Sequence, residues 1–173
     1  MAGKEEEFSF GEIEDFDTIV LTYVNDIRKL IYTYVRHTET VEDLAQEVFL
    51  AAYKGYRNFR GESSVKTWLF KIAINKSKDH LKSWHHRHLV LTEFFQEKSN
   101  RDTAETEAMA GLEKQELAKA IMALPLKYRE IIILYYYHDL SLPEICRLLN
   151  MNTNTVKTRL TRGRDLLKRR YRR

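Results

Sequence analysis

The sequence predicts an all-α protein: two small helical domains joined by a flexible linker. Three observations carry that prediction. Apolar residues recur at three- and four-residue steps through most of the chain, the spacing of one helical face. Six Gly and two Pro in 173 residues are too few for a strand-and-turn architecture. A polar stretch, Gln96 to Glu107, has no apolar stripe and separates two periodic halves. The expected boundaries are 1–87 and 113–173 for the domains and 88–112 for the linker.

In the first half, Phe16, Ile19, Val20, Tyr23, Val24, Ile27, Leu30, Ile31 and Tyr34 form one stripe and define a first helix. A second is expected to start at Thr40, where Thr-Val-Glu-Asp offers an N-cap and an acidic first turn. Its buried stripe is Val41, Leu44, Ala45, Val48, Phe49 and Ala52. Tyr53 to Glu62 contains two glycines and reads as a loop. Ser63 or Ser64 caps a third helix to about Lys82, with Val65, Trp68, Leu69, Ile72 and Ala73 inward.

In the second half, a helix over Leu112–Leu124 ends at Pro125, and Tyr128, Ile131, Ile132 and Tyr135 mark another. Ser141-Leu142-Pro143-Glu144 is a capping-box pattern with proline in the first turn. The short helix it opens turns Ile145, Leu148 and Leu149 inward and stops at a left-handed Asn150. Thr153 is the expected cap of a last helix with Val156, Leu160, Gly163 and Leu167 on its inner side.

Composition excludes several classes. One cysteine, Cys146, rules out an internal disulfide and a multi-cysteine zinc site. No apolar run approaches the ~20 residues that span a bilayer, so no membrane insertion is expected. The start lacks the basic-then-apolar pattern of a signal peptide, and a cytoplasmic location is expected. The net charge of +4 hides a segregation: −8 over residues 1–50, +7 over 51–88, −3 over 89–120 and +8 over 151–173. Two basic blocks beside acidic ones suggest two polyanion-facing surfaces, or a solvated surface of uneven charge.

A short capped helix, a tight turn and a longer helix form a helix-turn-helix pattern, whose second helix enters the major groove. Here that helix opens with Thr153, Asn154, Thr155, Lys157, Thr158, Arg159 and, one turn on, Arg162. Asn suits adenine, Arg and Lys suit guanine, and Thr suits base edges or phosphates. Arg164, Lys168, Arg169, Arg170, Arg172 and Arg173 continue as a phosphate-facing tail.

On the second helix Asp43, Gln46, Glu47 and Leu50 share a surface opposite the apolar stripe. That surface is either a solvated acidic face or a protein-docking face with an exposed leucine at its centre. On the third, Thr67, Lys71, Asn75, Lys78 and Lys82 follow one stripe, flanked by Lys66. Tyr53, Tyr56 and Phe59 with Arg57 and Arg60 stand just before it. Cations for phosphates beside rings for unstacked bases suit a single-stranded nucleic acid. The same rings, Trp68 above all, also suit the core.

Read together, these segments resemble the extracytoplasmic function sigma factors of bacterial RNA polymerase. The segments are DLAQEVF over 43–49, FRGESSVKTWLFKIAIN over 59–75, LPLKYRE over 124–130, and LSLPEI over 140–145 with NTVKTRL over 154–160. The resemblance spans about residues 13–170. It implies a protein with no enzyme activity, no catalytic residue, no cofactor and no metal. By the resemblance, Asp43, Gln46, Glu47 and Leu50 face the clamp helices of the largest polymerase subunit, and the beta flap is a second contact. Phe59, Arg60, Ser64, Lys66, Thr67, Lys71, Asn75 and Lys78 belong to recognition and melting of the −10 element. Thr153, Asn154, Thr155, Lys157, Thr158, Arg159 and Arg162 belong to reading of the −35 duplex. Such factors serve stress-responsive promoters and are usually held by an anti-sigma protein. A free-standing helix-turn-helix repressor or activator is the alternative; it leaves Asp43 to Asn75 without a purpose.

Two smaller signals remain. Trp84-His85-His86-Arg87-His88 is a histidine cluster, but adjacent histidines on a helix cannot converge on one ion, so a basic helix end is expected. Tyr135, Tyr136 and Tyr137 cannot all be buried on one helix, so at least one ring is expected at the surface.

Overall fold

Seven helices and one π-helical turn account for the regular structure in the computed structural model, which describes residues 15–91 and 110–171, with side chains for 15–84 and 115–170. The expectations about the acidic start, the polar stretch Gln96–Glu107 and the His85–His88 side chains fall outside the described residues. The first unit packs α1 (Phe16–Val35), α2 (Thr38–Tyr56) and α3 (Val65–Leu91) against one another. Ile27, Leu30, Ile31, Leu44, Val48, Leu69 and Ala73 lie in its core. The second unit contains α4 (Ala110–Met122), α5 (Leu126–Ile132), α6 (Leu142–Leu149) and α7 (Thr153–Tyr171). Ile131, Ile132, Leu134, Ile145, Val156 and Leu160 are buried there.

Several element ends differ from the sequence expectation, each for a local reason. α2 starts at Thr38, because the His37 ring nitrogen, not Thr40, accepts the first-turn bond from the Thr40 N–H. It also runs to Tyr56, so Tyr53–Tyr56 are helical and the loop begins after them. Gly55 is tolerated in the last turn because Trp68 packs against it: an added Cβ would lie 3.3 Å from the indole. Ser64 is the cap of α3, its hydroxyl accepting from the Thr67 N–H at 3.1 Å. That helix continues to Leu91, beyond the expected end near Lys82.

The inward stripe of α3 also differs. Leu69 and Ala73 are buried as expected, but so are Phe70 and Ile74, while Val65, Trp68 and Ile72 are only half-buried. The helix has a second covered face, because the other unit packs on it: the Phe70 ring meets His138 edge-on at 4.6 Å.

In the second unit, Arg129 explains part of the LPLKYRE segment. Its guanidinium donates to the carbonyls of Met122 (2.6 Å) and Leu124 (3.2 Å), satisfying the orphaned end of α4. α5 runs directly into the π-helical turn Ile133–Tyr137, which the apolar spacing did not announce. Tyr136 and Tyr137 are exposed and Tyr135 is half-buried, as the one-face argument requires. Ser141 donates its N–H (2.8 Å) and hydroxyl (2.5 Å) to the Glu144 carboxylate, which these bonds hold below its ordinary pKa. Pro143 sits in the first turn and Asn150 is left-handed at φ 52°, both as expected. Gly163 lets α7 approach α5: an added Cβ would lie 3.0 Å from Ile132 Cγ1.

The cap of α7 is Asn152, not Thr153. Its side-chain oxygen accepts from the Thr155 N–H at 2.8 Å, and Thr153 is already helical. Both residues are good cap formers, so spacing alone does not separate them. Asn152→Ala is expected to cost about 1 kcal/mol, whereas Asn152→Asp keeps the acceptor and most of that stability. Urea unfolding of the two variants checks this.

Candidate nucleic-acid interfaces and docking face

α7 projects its first two turns from the second unit. Val156 and Leu160 anchor it inward, leaving Thr153, Asn154, Lys157, Thr158 and Arg162 exposed and Thr155 and Arg159 half-buried. These seven sequence-predicted residues therefore share one end of one helix. Arg159 is 28% exposed; its Nη1 lies 3.4 Å from Met151 Sδ and 3.7 Å from Glu130 Oε1. That seating holds the guanidinium over the turn while leaving part of its donor edge free.

α2 presents Asp43, Gln46, Glu47 and Leu50 together on its outer face. Leu50 is 60% exposed, and Tyr53, 65% exposed, extends the face by one turn. Glu47 is braced by Lys76 of α3 at 2.9 Å, which fixes the carboxylate without burying it. An apolar pair with a charged rim has the make-up of a protein-docking patch.

The loop between α2 and α3 and the first turns of α3 border an open cavity of about 550 Å³. Phe59, Arg60, Thr67 and Lys71 line it, with the Trp68 ring tilted 37° against Phe59 at 4.9 Å between centroids. Ser64 does not line it but is hydrogen-bonded to the hydroxyl of Thr67, which does, at 2.9 Å. An aromatic pair with two cations and a hydroxyl can hold a planar base and its phosphate.

The remaining predicted residues of this group lie elsewhere. Asn75 is exposed further along α3. Lys66 lies 3.9 Å from Asp26, and Lys78 lies 3.1 Å from Glu130 of the second unit. Sequence reasoning missed Asn58, Ser63 and, from α6, Arg147 and Leu148, all of which line the cavity. Asn58 sits within the recognised loop and Ser63 directly after it, but no local pattern could bring α6 to it.

His138 lies between the units, buried against Phe70, and its Nε2 has no hydrogen-bond partner. Burial pushes the imidazole from 6.5 down to about 4, and Lys66 and Lys29 act in the same direction against Asp26 and Asp139. The unfolded chain takes up this proton near pH 6.5, while the folded chain stays neutral to about 4. His138 therefore costs no stability above 6.5, and its cost grows as pH falls through that window, by at most about 1.4 kcal/mol per pH unit. Urea midpoints at pH 7.5 and 5 should show this slope, and His138→Phe should flatten it.

Comparison with known proteins finds two family models along the chain. The family model described as sigma-70 region 2 matches residues 19–87, and that described as sigma-70, region 4 matches residues 114–167. The ECF RNA polymerase sigma factor SigW of Bacillus subtilis is 33% identical over 94% of this chain and 91% of its own length. The RNA polymerase sigma-H factor of Pseudomonas aeruginosa is 32% identical over 91% of this chain and 86% of its own. Among solved structures, the sigma factor RpoE in complex with the anti-sigma factor NepR from Bartonella quintana superposes with a TM-score of 0.78. It shares 23% identity over 92% of this chain and 98% of its own.

Proposed function

Since the chain belongs to the extracytoplasmic function sigma factors of RNA polymerase, carrying sigma-70 regions 2 and 4 and no enzyme activity, we propose that it directs core polymerase to two-element, stress-responsive promoters and opens them. The unit up to residue 87 docks on the clamp helices of the largest subunit through Asp43, Gln46, Glu47 and Leu50. The same unit takes a flipped base of the melted −10 element into the cavity of Phe59, Arg60, Thr67 and Lys71, with Ser64, Lys66, Asn75 and Lys78 serving the adjoining strand. The unit 113–173 reads the −35 duplex with Thr153, Asn154, Thr155, Lys157, Thr158, Arg159 and Arg162 and meets the beta flap. Residues 88–112 connect the two.

The observation that carries this reading is the pairing, on one three-helix bundle, of the braced acidic face of α2 with the aromatic-cationic cavity beside α3. A free-standing repressor needs only α6 and α7. An anti-sigma partner fits as well, since a solved neighbour sharing the fold was captured with one, and the exposed Tyr136 and Tyr137 offer apolar surface for it.

Competition tests the docking role. The chain should displace another sigma factor from core polymerase; failure to do so at any excess removes the proposal in favour of a free-standing regulator. Glu47→Lys places two ammonium groups where Lys76 now braces a carboxylate. It is expected to weaken core binding roughly tenfold and to leave duplex binding of the full chain unchanged. Equal loss of both would mark a folding defect instead.

A further inference from the structure

Four charged side chains line the cavity beside α3, and none of them is engaged within the described part of the protein. Arg60 and Glu62 come from the loop, Lys71 from α3 and Arg147 from α6. All four are exposed, and none forms a side-chain hydrogen bond or ion pair with another described residue. Arg147 has only a longer-range attraction to Glu144 of its own helix. The contrast within α3 is sharp. Lys66, Lys76, Lys78 and Lys82 each stand beside a carboxylate, at 3.9, 2.9, 3.1 and 3.6 Å, and Lys71 does not.

The cavity also offers apolar walls. Phe59 and Trp68 are half-buried with centroids 4.9 Å apart, and α6 adds the buried Leu148. Its volume of about 550 Å³ falls within the roughly 300–1,000 Å³ of small-molecule and cofactor sites. Three cations against one carboxylate favour a polyanion, and the rings favour a planar group attached to it. Glu62 decides between a bare polyphosphate and a nucleotide. An ionised carboxylate only accepts hydrogen bonds, so it repels phosphate oxygens and takes the N–H groups of a base.

We propose that this cavity is a site for a free nucleoside polyphosphate, whose base stacks on Phe59 while Arg60, Lys71 and Arg147 share its phosphates, and that the bound nucleotide excludes the DNA strand. The exclusion rests on the reading of the cavity as a strand-binding site; the nucleotide site does not. Arg147 separates the two ligands, because it comes from α6, to which the strand reading assigns no contact. A triphosphate concentrates its charge and draws on cations from three segments of the chain. A strand spreads one charge per nucleotide along a groove.

The test titrates the full-length chain with ATP by calorimetry, without magnesium. ATP should bind once per chain with a Kd of about 100 μM or tighter. Adenosine should give no measurable binding, and inorganic triphosphate should bind about tenfold more weakly than ATP, having no base to stack. Arg147→Ala, at an exposed position of α6, should weaken ATP about fivefold or more. The same variant should bind a short fluorescent single-stranded DNA of mixed sequence within about twofold of the parent. Arg147→Gln, which keeps most of the side chain, should behave alike. ATP should displace that DNA from the parent. No saturable ATP binding, inorganic triphosphate bound as tightly as ATP, or both Arg147 variants without effect would each overturn the nucleotide site. Equal loss of ATP and DNA in both variants would overturn it as well, in favour of one continuous strand site. Binding of ATP without displacement of DNA would overturn the exclusion. A chain that binds ATP but no DNA counts against the strand reading and leaves the nucleotide site standing.

Discussion

Phe70→Ala should lower the stability of the chain by about 3–5 kcal/mol. The ring is fully buried in the second turn of α3. It meets His138 edge-on at 4.6 Å, and the Lys66 ammonium stands 5.5 Å from its centroid. Truncation removes apolar area from both units at once, leaves a cavity, and opens a path for water to the unpaired His138 Nε2. Phe70→Leu refills most of the volume and should recover more than half of the loss. Urea unfolding followed by circular dichroism reads the difference; a loss under about 1 kcal/mol for the alanine variant would contradict the packing described for α3.

Arg159→Ala should cost about 1–3 kcal/mol of discrimination among upstream-element duplexes, roughly 5- to 150-fold in relative affinity. Two constraints aim the guanidinium: the Met151 sulfur at 3.4 Å and Glu130 at 3.7 Å. A pre-aimed fork loses less entropy on meeting a guanine edge than a free one. Arg159→Lys keeps the charge but not the fork, so it should restore affinity without restoring choice. Lys168→Ala, in the basic last turn of α7, should instead weaken all duplexes alike and reduce the salt dependence. Binding of the full chain to a randomised upstream duplex separates these outcomes. An unchanged preference in Arg159→Ala would remove it from the reading set.

Most of the helices were legible because their apolar spacing is regular and their caps are chemically distinctive. Ser64 and Ser141 with Glu144 are such caps, and Asn150 stops α6 as expected. His37 was not legible as a cap, since its ring acts there only through the geometry of the Thr40 N–H. The exposed residues of α7 proposed to read DNA could be placed because Val156, Leu160 and Gly163 fix its inner side. Non-local packing was hidden. Nothing near Phe70 or Ile74 in sequence announces a second covered face of α3, and Glu130 reads as an ordinary helix-surface glutamate until Tyr34 and Lys78 are brought to it. The α6 wall of the cavity was hidden for the same reason. The resemblance to the sigma family supplied the division of labour; the fold supplied which predicted cations are engaged within the protein.

Sequencing of the 5′ ends of transcripts made by core polymerase with this chain decides whether it directs promoter-specific initiation. Starts should cluster downstream of two shared elements, one in the −35 position and one in the −10 position, and be absent with core alone. Starts indistinguishable from those of core alone would contradict it.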